Sequence, residues 1–153
     1  MKYLMVFLIS MLPIVELRGA IPIGLSMSEL SPFWVVLLSV IGNLLPVPFL
    51  ILFGGMILRW LAKFPRLGKP FRWILQLGEK KVAKMNKTLF LGLFLFVAIP
   101  LPGTGAWTGS LAAITLQRNF KQAFPPIALG VLCSGAIILA IYYFAYGVFE
   151  VLF

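Results

Sequence analysis

Pro13-Ile14-Val15-Glu16-Leu17-Arg18-Gly19-Ala20-Ile21-Pro22-Ile23-Gly24 sets an acidic and a basic residue two positions apart inside an apolar stretch bracketed by prolines. The apolar run before it, Tyr3 to Leu12, rises only about 15 Å as a helix, half of a hydrocarbon core roughly 30 Å thick. A charge at that depth costs about 2.5 to 3.5 kcal/mol on insertion scales, so Glu16 and Arg18 need each other, water or a ligand. Their i, i+2 spacing does not align them on one helix face, which suits broken backbone better than a helical ion pair. Non-helical backbone at that depth is tolerated where it is buried in protein or lines a polar cavity.

A second segment repeats the plan. Thr88 to Ile99 is apolar and is followed by Pro100-Leu101-Pro102-Gly103-Thr104-Gly105-Ala106-Trp107-Thr108-Gly109. In both segments a proline precedes a Gly-Ala pair (Gly19-Ala20, Gly105-Ala106) and a further glycine (Gly24, Gly109), then a polar linker, a proline (Pro32, Pro126) and a long apolar block. The long blocks, Phe33 to Ile57 and Ile127 to Phe149, are of spanning length, with Gly42, Pro46 and Pro48 bending the first. Each broken segment reads as a re-entrant helical hairpin, with Pro13, Gly19, Pro22, Pro100 and Pro102 as its breakers. The expected fold is an all-α integral membrane protein, an inverted repeat of hairpin plus spanning helix in one domain. Repeat one covers about 1–60, a basic linker about 61–87 and repeat two about 88–153.

Composition agrees with a membrane solvent. Of 153 residues, 61% are hydrophobic and 11% charged, against near half and a quarter in soluble domains, and mean hydropathy is +1.05. The net charge of +9 comes from 13 Lys or Arg against 4 acidic residues. Nine of the positive charges lie between Arg59 and Lys87, a pattern of cytoplasmic loops rather than of nucleic-acid binding. With re-entrant hairpins Arg118 and Lys121 join them inside, while Ser26 to Ser31, carrying Glu29, faces out. Four full crossings would instead put Arg118 and Lys121 outside. Within the linker, Phe71, Ile74, Leu75, Val82 and Met85 fall near helical spacing among Arg72, Lys80 and Lys84, so a basic amphipathic surface helix is expected there. Multi-pass insertion in the cell membrane follows. Glu16 and Arg18, without a small-residue cleavage site, argue against a cleaved signal peptide.

The chain has no His, and its four acidic residues are all Glu. With one cysteine, Cys133, read as packing in an apolar run, this leaves no metal-ligand cluster, no cofactor motif and no nucleophile with a base beside it, so an enzyme is not expected. Arg18 has the planar donor fork that matches a phosphate or carboxylate, and Glu16 is the candidate proton carrier. The plainer reading is a mutually neutralising pair that pins the hairpin tip. Thr104 and Thr108, beside Gly103 and Gly105, bring hydroxyls and exposed backbone N–H groups to a half-helix start, where small residues equally serve close packing. Asn43 in the first long helix is a candidate cavity wall or an interhelical hydrogen-bonding group. Gly130, Ser134 and Gly135 would allow close packing in a homodimer.

Glu16-Leu17-Arg18-Gly19-Ala20-Ile21-Pro22, together with Pro100-Leu101-Pro102-Gly103-Thr104-Gly105-Ala106-Trp107, resembles the small multidrug export proteins, over nearly the whole chain. That family looks like a compact relative of the DedA, or VTT-domain, membrane proteins. The resemblance implies facing re-entrant hairpins with charged tips and transport or scrambling of lipids such as undecaprenyl phosphate, with proton coupling. Glu16 and Arg18 fall on the acidic and basic positions of the first hairpin, and Pro100, Gly103 and Gly105 on the turn of the second. DedA proteins typically carry an arginine in the second hairpin, and here none occurs until Arg118. Three functions are open at this stage: translocation of an anionic lipid or small molecule within the bilayer, proton-coupled export of organic cations, and a non-transporting assembly or scaffold role.

Overall fold

The computed structural model describes residues 1–61, 63, 86–101, 103–116 and 118–152. Pro102 and the body of the expected surface helix lie outside them. The described residues form seven helices and no strand: α1 Lys2–Met11, α2 Glu16–Ser26, α3 Pro32–Leu44, α4 Pro46–Leu61, α5 Asn86–Ala98, α6 Ala106–Thr115 and α7 Phe120–Leu152. The breaks follow from local chemistry. Leu12 is extended (ψ 135°) because Pro13 follows it and disfavours the helical region. Ser31 (ψ 129°) obeys the same rule, and Pro32 then opens α3 where its missing N–H costs nothing. Leu45 keeps helical angles between α3 and α4, so Pro32–Ile57 runs as one apolar segment of 26 residues.

Pro32–Ile57 and Phe120–Phe149 are the two described segments long and apolar enough to cross a membrane, whereas α1 and the apolar part of α5 are too short. The expected all-helical membrane class, with two helices of spanning length, is therefore present. Around them α1 packs on α2 and α3, α5 packs on α6 and α7, α2 also reaches α7, and α6 reaches α4. Lys2 Nζ lies 2.6 Å from Glu29 Oε2, so the chain after α2 returns to the level at which α1 began. Leu89 and Phe90 of α5 share a cleft with Arg118 and Lys121 beyond α6.

One apolar cluster joins the two halves. Leu17 and Ile21 of α2 meet Val40, Val47, Val97, Ala106, Ile127 and Val131, drawn from α3 to α7. Close approach of backbones needs glycine at two matching places. A Cβ on Gly42 of α3 would strike the carbonyl of Phe7 in α1, and one on Gly130 of α7 would meet Val97 and the carbonyl of Phe94 in α5.

Two expectations about α7 are corrected here. Gly130, Ser134 and Gly135 face the chain's own core, Gly135 lying against Val40 and Ile21. They are occupied by intramolecular packing. Cys133 is exposed, not packed, because helical periodicity turns Val131, Ser134 and Ile138 inward and Leu132, Cys133 and Ile137 outward.

Gly42→Val and Gly130→Val should each destabilise the protein by about 1 to 3 kcal/mol through overpacking. Thermal unfolding in detergent measures this. Gly92→Ala, whose Cβ would meet open space, should instead be neutral or gain up to about 1 kcal/mol from helix propensity.

Candidate functional site

Both broken segments expose unpaired backbone groups, and the structure satisfies each from the other. Helix α6 starts at Ala106 after Gly105, which offers no side-chain cap. The cap comes from across the molecule: the Trp107 N–H donates to Glu16 Oε1 at 3.2 Å. The carboxylate thus sits at the positive end of α6, where an anion is favoured by the aligned peptide dipoles. Gly105 makes room for it, since a Cβ there would collide with both Glu16 oxygens, and its φ of 138° is one that other residues rarely adopt. Glu16 is itself strained into a left-handed conformation at φ 51° and is 4% exposed. A non-glycine residue held so costs on the order of 1 to 3 kcal/mol. The Trp107 indole N–H donates to the Met11 carbonyl at 3.1 Å, which closes the last turn of α1 onto the same point.

Arg18 makes the reciprocal connection. Its guanidinium donates to the backbone carbonyls of Leu101 and Thr104 and, at 2.9 Å, to Thr104 Oγ1. Those carbonyls belong to the turn between α5 and α6. Thr104 Oγ1 braces that turn by donating toward Ile99 O at 2.7 Å and Leu101 O at 2.8 Å, and it accepts from the Leu101 N–H at 3.2 Å. Gly103, at φ 83°, lets the turn close. The expected ion pair between Arg18 and Glu16 is the looser contact, 3.9 Å between Nη2 and Oε2. Pro22 lies inside α2 and has no N–H to give the carbonyl four residues back, that of Arg18.

A cleft of about 370 Å³ opens on Arg18, with Pro22 and Pro100 at its base and Ile138, Ile141 and Tyr142 of α7 as its wall. The Arg18 Nε is buried without a partner. The sequence-derived residues Glu16, Arg18, Gly105 and Thr104 therefore converge, with Gly103 and Pro100 shaping the turn. Thr108 spends its hydroxyl on the Gly105 carbonyl at 3.4 Å. Gly19 packs on Val15, and Pro13 separates α1 from α2. Asn43 is 1% exposed in the packed interior, with both amide atoms unpartnered, and lines none of the clefts described here. Trp107 and Tyr142 were not singled out from the sequence. Trp107 was visible within the Gly-rich motif, but nothing local could show that its two N–H groups serve the other segment. Among the described residues no group of three or more His, Cys, Asp or Glu could hold a metal.

Gly103→Ala should cost roughly 1 kcal/mol, because only its positive φ is strained and nothing lies within reach of a Cβ. Gly105→Ala should cost about 1 to 3 kcal/mol and also displace Glu16. Chemical denaturation, together with trypsin cleavage at Arg18, distinguishes the two: faster cleavage is expected for Gly105→Ala alone.

No curated protein and no solved structure matches the chain. Residues 16–137, which begin at the buried carboxylate and end in the middle of α7, match the family described as "Putative small multi-drug export protein". This match covers most of the chain, including Glu16, Arg18, Leu101, Thr104 and Trp107, and the protein belongs to that family.

Proposed function

We propose that the protein is a small multi-pass transporter of the cell membrane that moves an amphiphile with an anionic headgroup past Arg18, at the meeting point of two re-entrant hairpins. The observation that carries this reading is the difference in access between the two charges. Arg18 borders an open cleft with an apolar wall, whereas Glu16 is sealed beneath the start of α6. An anionic headgroup can therefore approach its cation directly. An organic cation would first have to break the Glu16 contact to Trp107. A second cleft, of about 460 Å³, flanks the same junction with Met11, Phe49, Phe53 and Trp107 in its wall, and offers apolar surface for a tail.

The inverted repeat is supported by matching contacts in the two halves. Gly24 packs against Val6 and Val35, while Gly109 packs against Val97 and Ile127. Gly42 faces the carbonyl of Phe7, while Gly130 faces that of Phe94. In each half the first short helix lies on its own long helix, and the second reaches the long helix of the other half. Arg59, Lys63, Arg118 and Lys121 gather at one end, which is then the cytoplasmic face. Motion of one half against the other would expose Arg18 alternately to the two sides, with Glu16 taking up a proton when it leaves α6.

The family description makes export of organic cations the second reading. Translocation of a fluorescent lipid phosphate in proteoliposomes tests the first. Arg18→Ala should slow it at least about tenfold, given about 1.5 to 3 kcal/mol for each hydrogen bond to a charge. Ile141→Trp should also slow it, since it fills the cleft without touching the guanidinium contacts. Unchanged lipid flux in both variants would sink the anion reading. Dye export lost in Glu16→Gln and kept in Arg18→Lys would establish the cation one, because lysine keeps the charge without the planar fork.

A further inference from the structure

The contact between α3 and α7, the long helices of the two halves, contains buried polar side chains. Among the described residues, Ser39 Oγ and both amide atoms of Asn43 on α3, and Ser134 Oγ on α7, are buried without a hydrogen-bond partner. Ser39, Asn43 and Ser134 are 0%, 1% and 2% exposed. We propose that these three residues form a binding site for water at the α3–α7 contact, apart from the Arg18 cleft.

Position and space come first. Ser39 and Asn43 stand four apart on α3 and so share one side of it. Val40, between them, and Val36, a turn earlier, lie 3.4 and 4.0 Å from the place a Cβ would take on Gly135 of α7. Ser134 precedes that glycine, and its neighbours a turn either way, Val131 and Ile138, are buried in the same cluster as Val40 and Val47. A backbone carbonyl closes the space at Gly42 and at Gly130, whereas Gly135 leaves room for a group of methyl size, close to that of a water molecule. Asn43 lies near the middle of Pro32–Ile57 and Ser134 near the middle of Phe120–Phe149. At that depth lipid offers no partner to an unmet polar atom.

Other helix hydroxyls of the protein are already spent. Ser110 and Thr115 donate to the carbonyls four residues back, of Ala106 at 2.6 Å and of Leu111 at 2.7 Å, a common way for a helix to absorb a hydroxyl. Ser39 and Ser134 do not make that bond to Val35 and Gly130, so their hydroxyls remain for a ligand in the contact. The Ser10 hydroxyl donates to the Ser39 carbonyl and extends the polar line toward α1. Two hydroxyls and one amide offer mixed donors and acceptors, within the roughly two to four bonds that a buried water makes. None of the three side chains is charged, which suits water better than an ion stripped of its hydration shell.

Infrared spectroscopy of introduced thiols reads the water directly. The background is Cys133→Ala, which removes the native thiol from its exposed position, and Ser39→Cys and Ser134→Cys then nearly keep the native side-chain shape. On transfer of the full chain in proteoliposomes to heavy water, the S–H band at each position should convert to S–D at least about tenfold faster than that of Val35→Cys or Ala113→Cys. Those two control positions are 0% exposed in apolar packing. Equal rates at all four positions would overturn the proposal. Thermal unfolding of Ser39→Ala combined with Ser134→Ala gives a second measurement that needs no thiol. Loss of two groups that hold the water should lower the melting temperature. A dry contact relieved of two unmet hydroxyls would instead hold or gain stability, and either result overturns the proposal. Slow exchange together with a lowered melting temperature would assign a direct bond between Asn43 and Ser134, and equally overturns it. Failure here leaves the Arg18 reading standing, since neither measurement involves that cleft.

Discussion

Backbone that stops being helical in apolar surroundings leaves donors and acceptors that water cannot reach, and here each broken segment supplies what the other lacks. The N–H groups at the start of α6 receive the Glu16 carboxylate, and the carbonyls of the turn before α6 receive the Arg18 guanidinium. Neither charge relies chiefly on the other, since they stand 3.9 Å apart at their nearest atoms. Removing one partner from such an arrangement would leave a buried charge and an open helix end together. That coupling accounts for a left-handed glutamate at the centre of the junction.

The rest of the packing follows from holding those two segments in register. Glycines at 42 and 130 bring the short helices against the long ones, and Leu17 and Ile21, neighbours of the charged residues, enter the core that joins both halves. The glycine at 105 has a different task, because the space of its missing side chain is filled by the carboxylate. Small residues in α7 that look from the sequence like a face for a second copy are consumed inside the chain. The outward face of α7 is instead apolar, with Leu132, Ile137, Ile141 and Phe144 exposed, as a helix in contact with acyl chains requires.

On the proposed transport reading, a substrate would engage the same groups that close the molecule. An anion entering the Arg18 cleft would compete with the Leu101 and Thr104 carbonyls for the same guanidinium, so binding would be linked to loosening of the junction. Buried polar atoms left unmet, at about 1 to 3 kcal/mol each, belong to the same balance. Asn43 and Ser39 of α3 and Ser134 of α7 carry such atoms, and an arrangement that hydrates them would recover part of that cost. Among the described residues, charge thus falls in two places: Arg59, Lys63, Arg118 and Lys121 line neighbouring clefts, and Glu16 and Arg18 lie where the two broken segments meet.

The sequence by itself determined the membrane class, the two long helices, the places where the short ones break and the residues of interest. Proline geometry and apolar run length are local properties, so Leu12, Ser31 and the half-length α1 were legible without a fold. Glu16 and Arg18 stood out because charge in an apolar run is costly wherever the chain goes. Their partners were not legible. The Trp107 N–H and the Leu101 and Thr104 carbonyls are backbone groups 83 to 91 positions away, and no side-chain pattern advertises a free backbone group. The same holds for Arg118 beside Arg59, for Cys133 turning outward, and for Asn43 lying in packed interior. Each depends on which face of a helix meets which neighbour. Helical period narrows that choice, and only the assembled packing of the described helices fixes it.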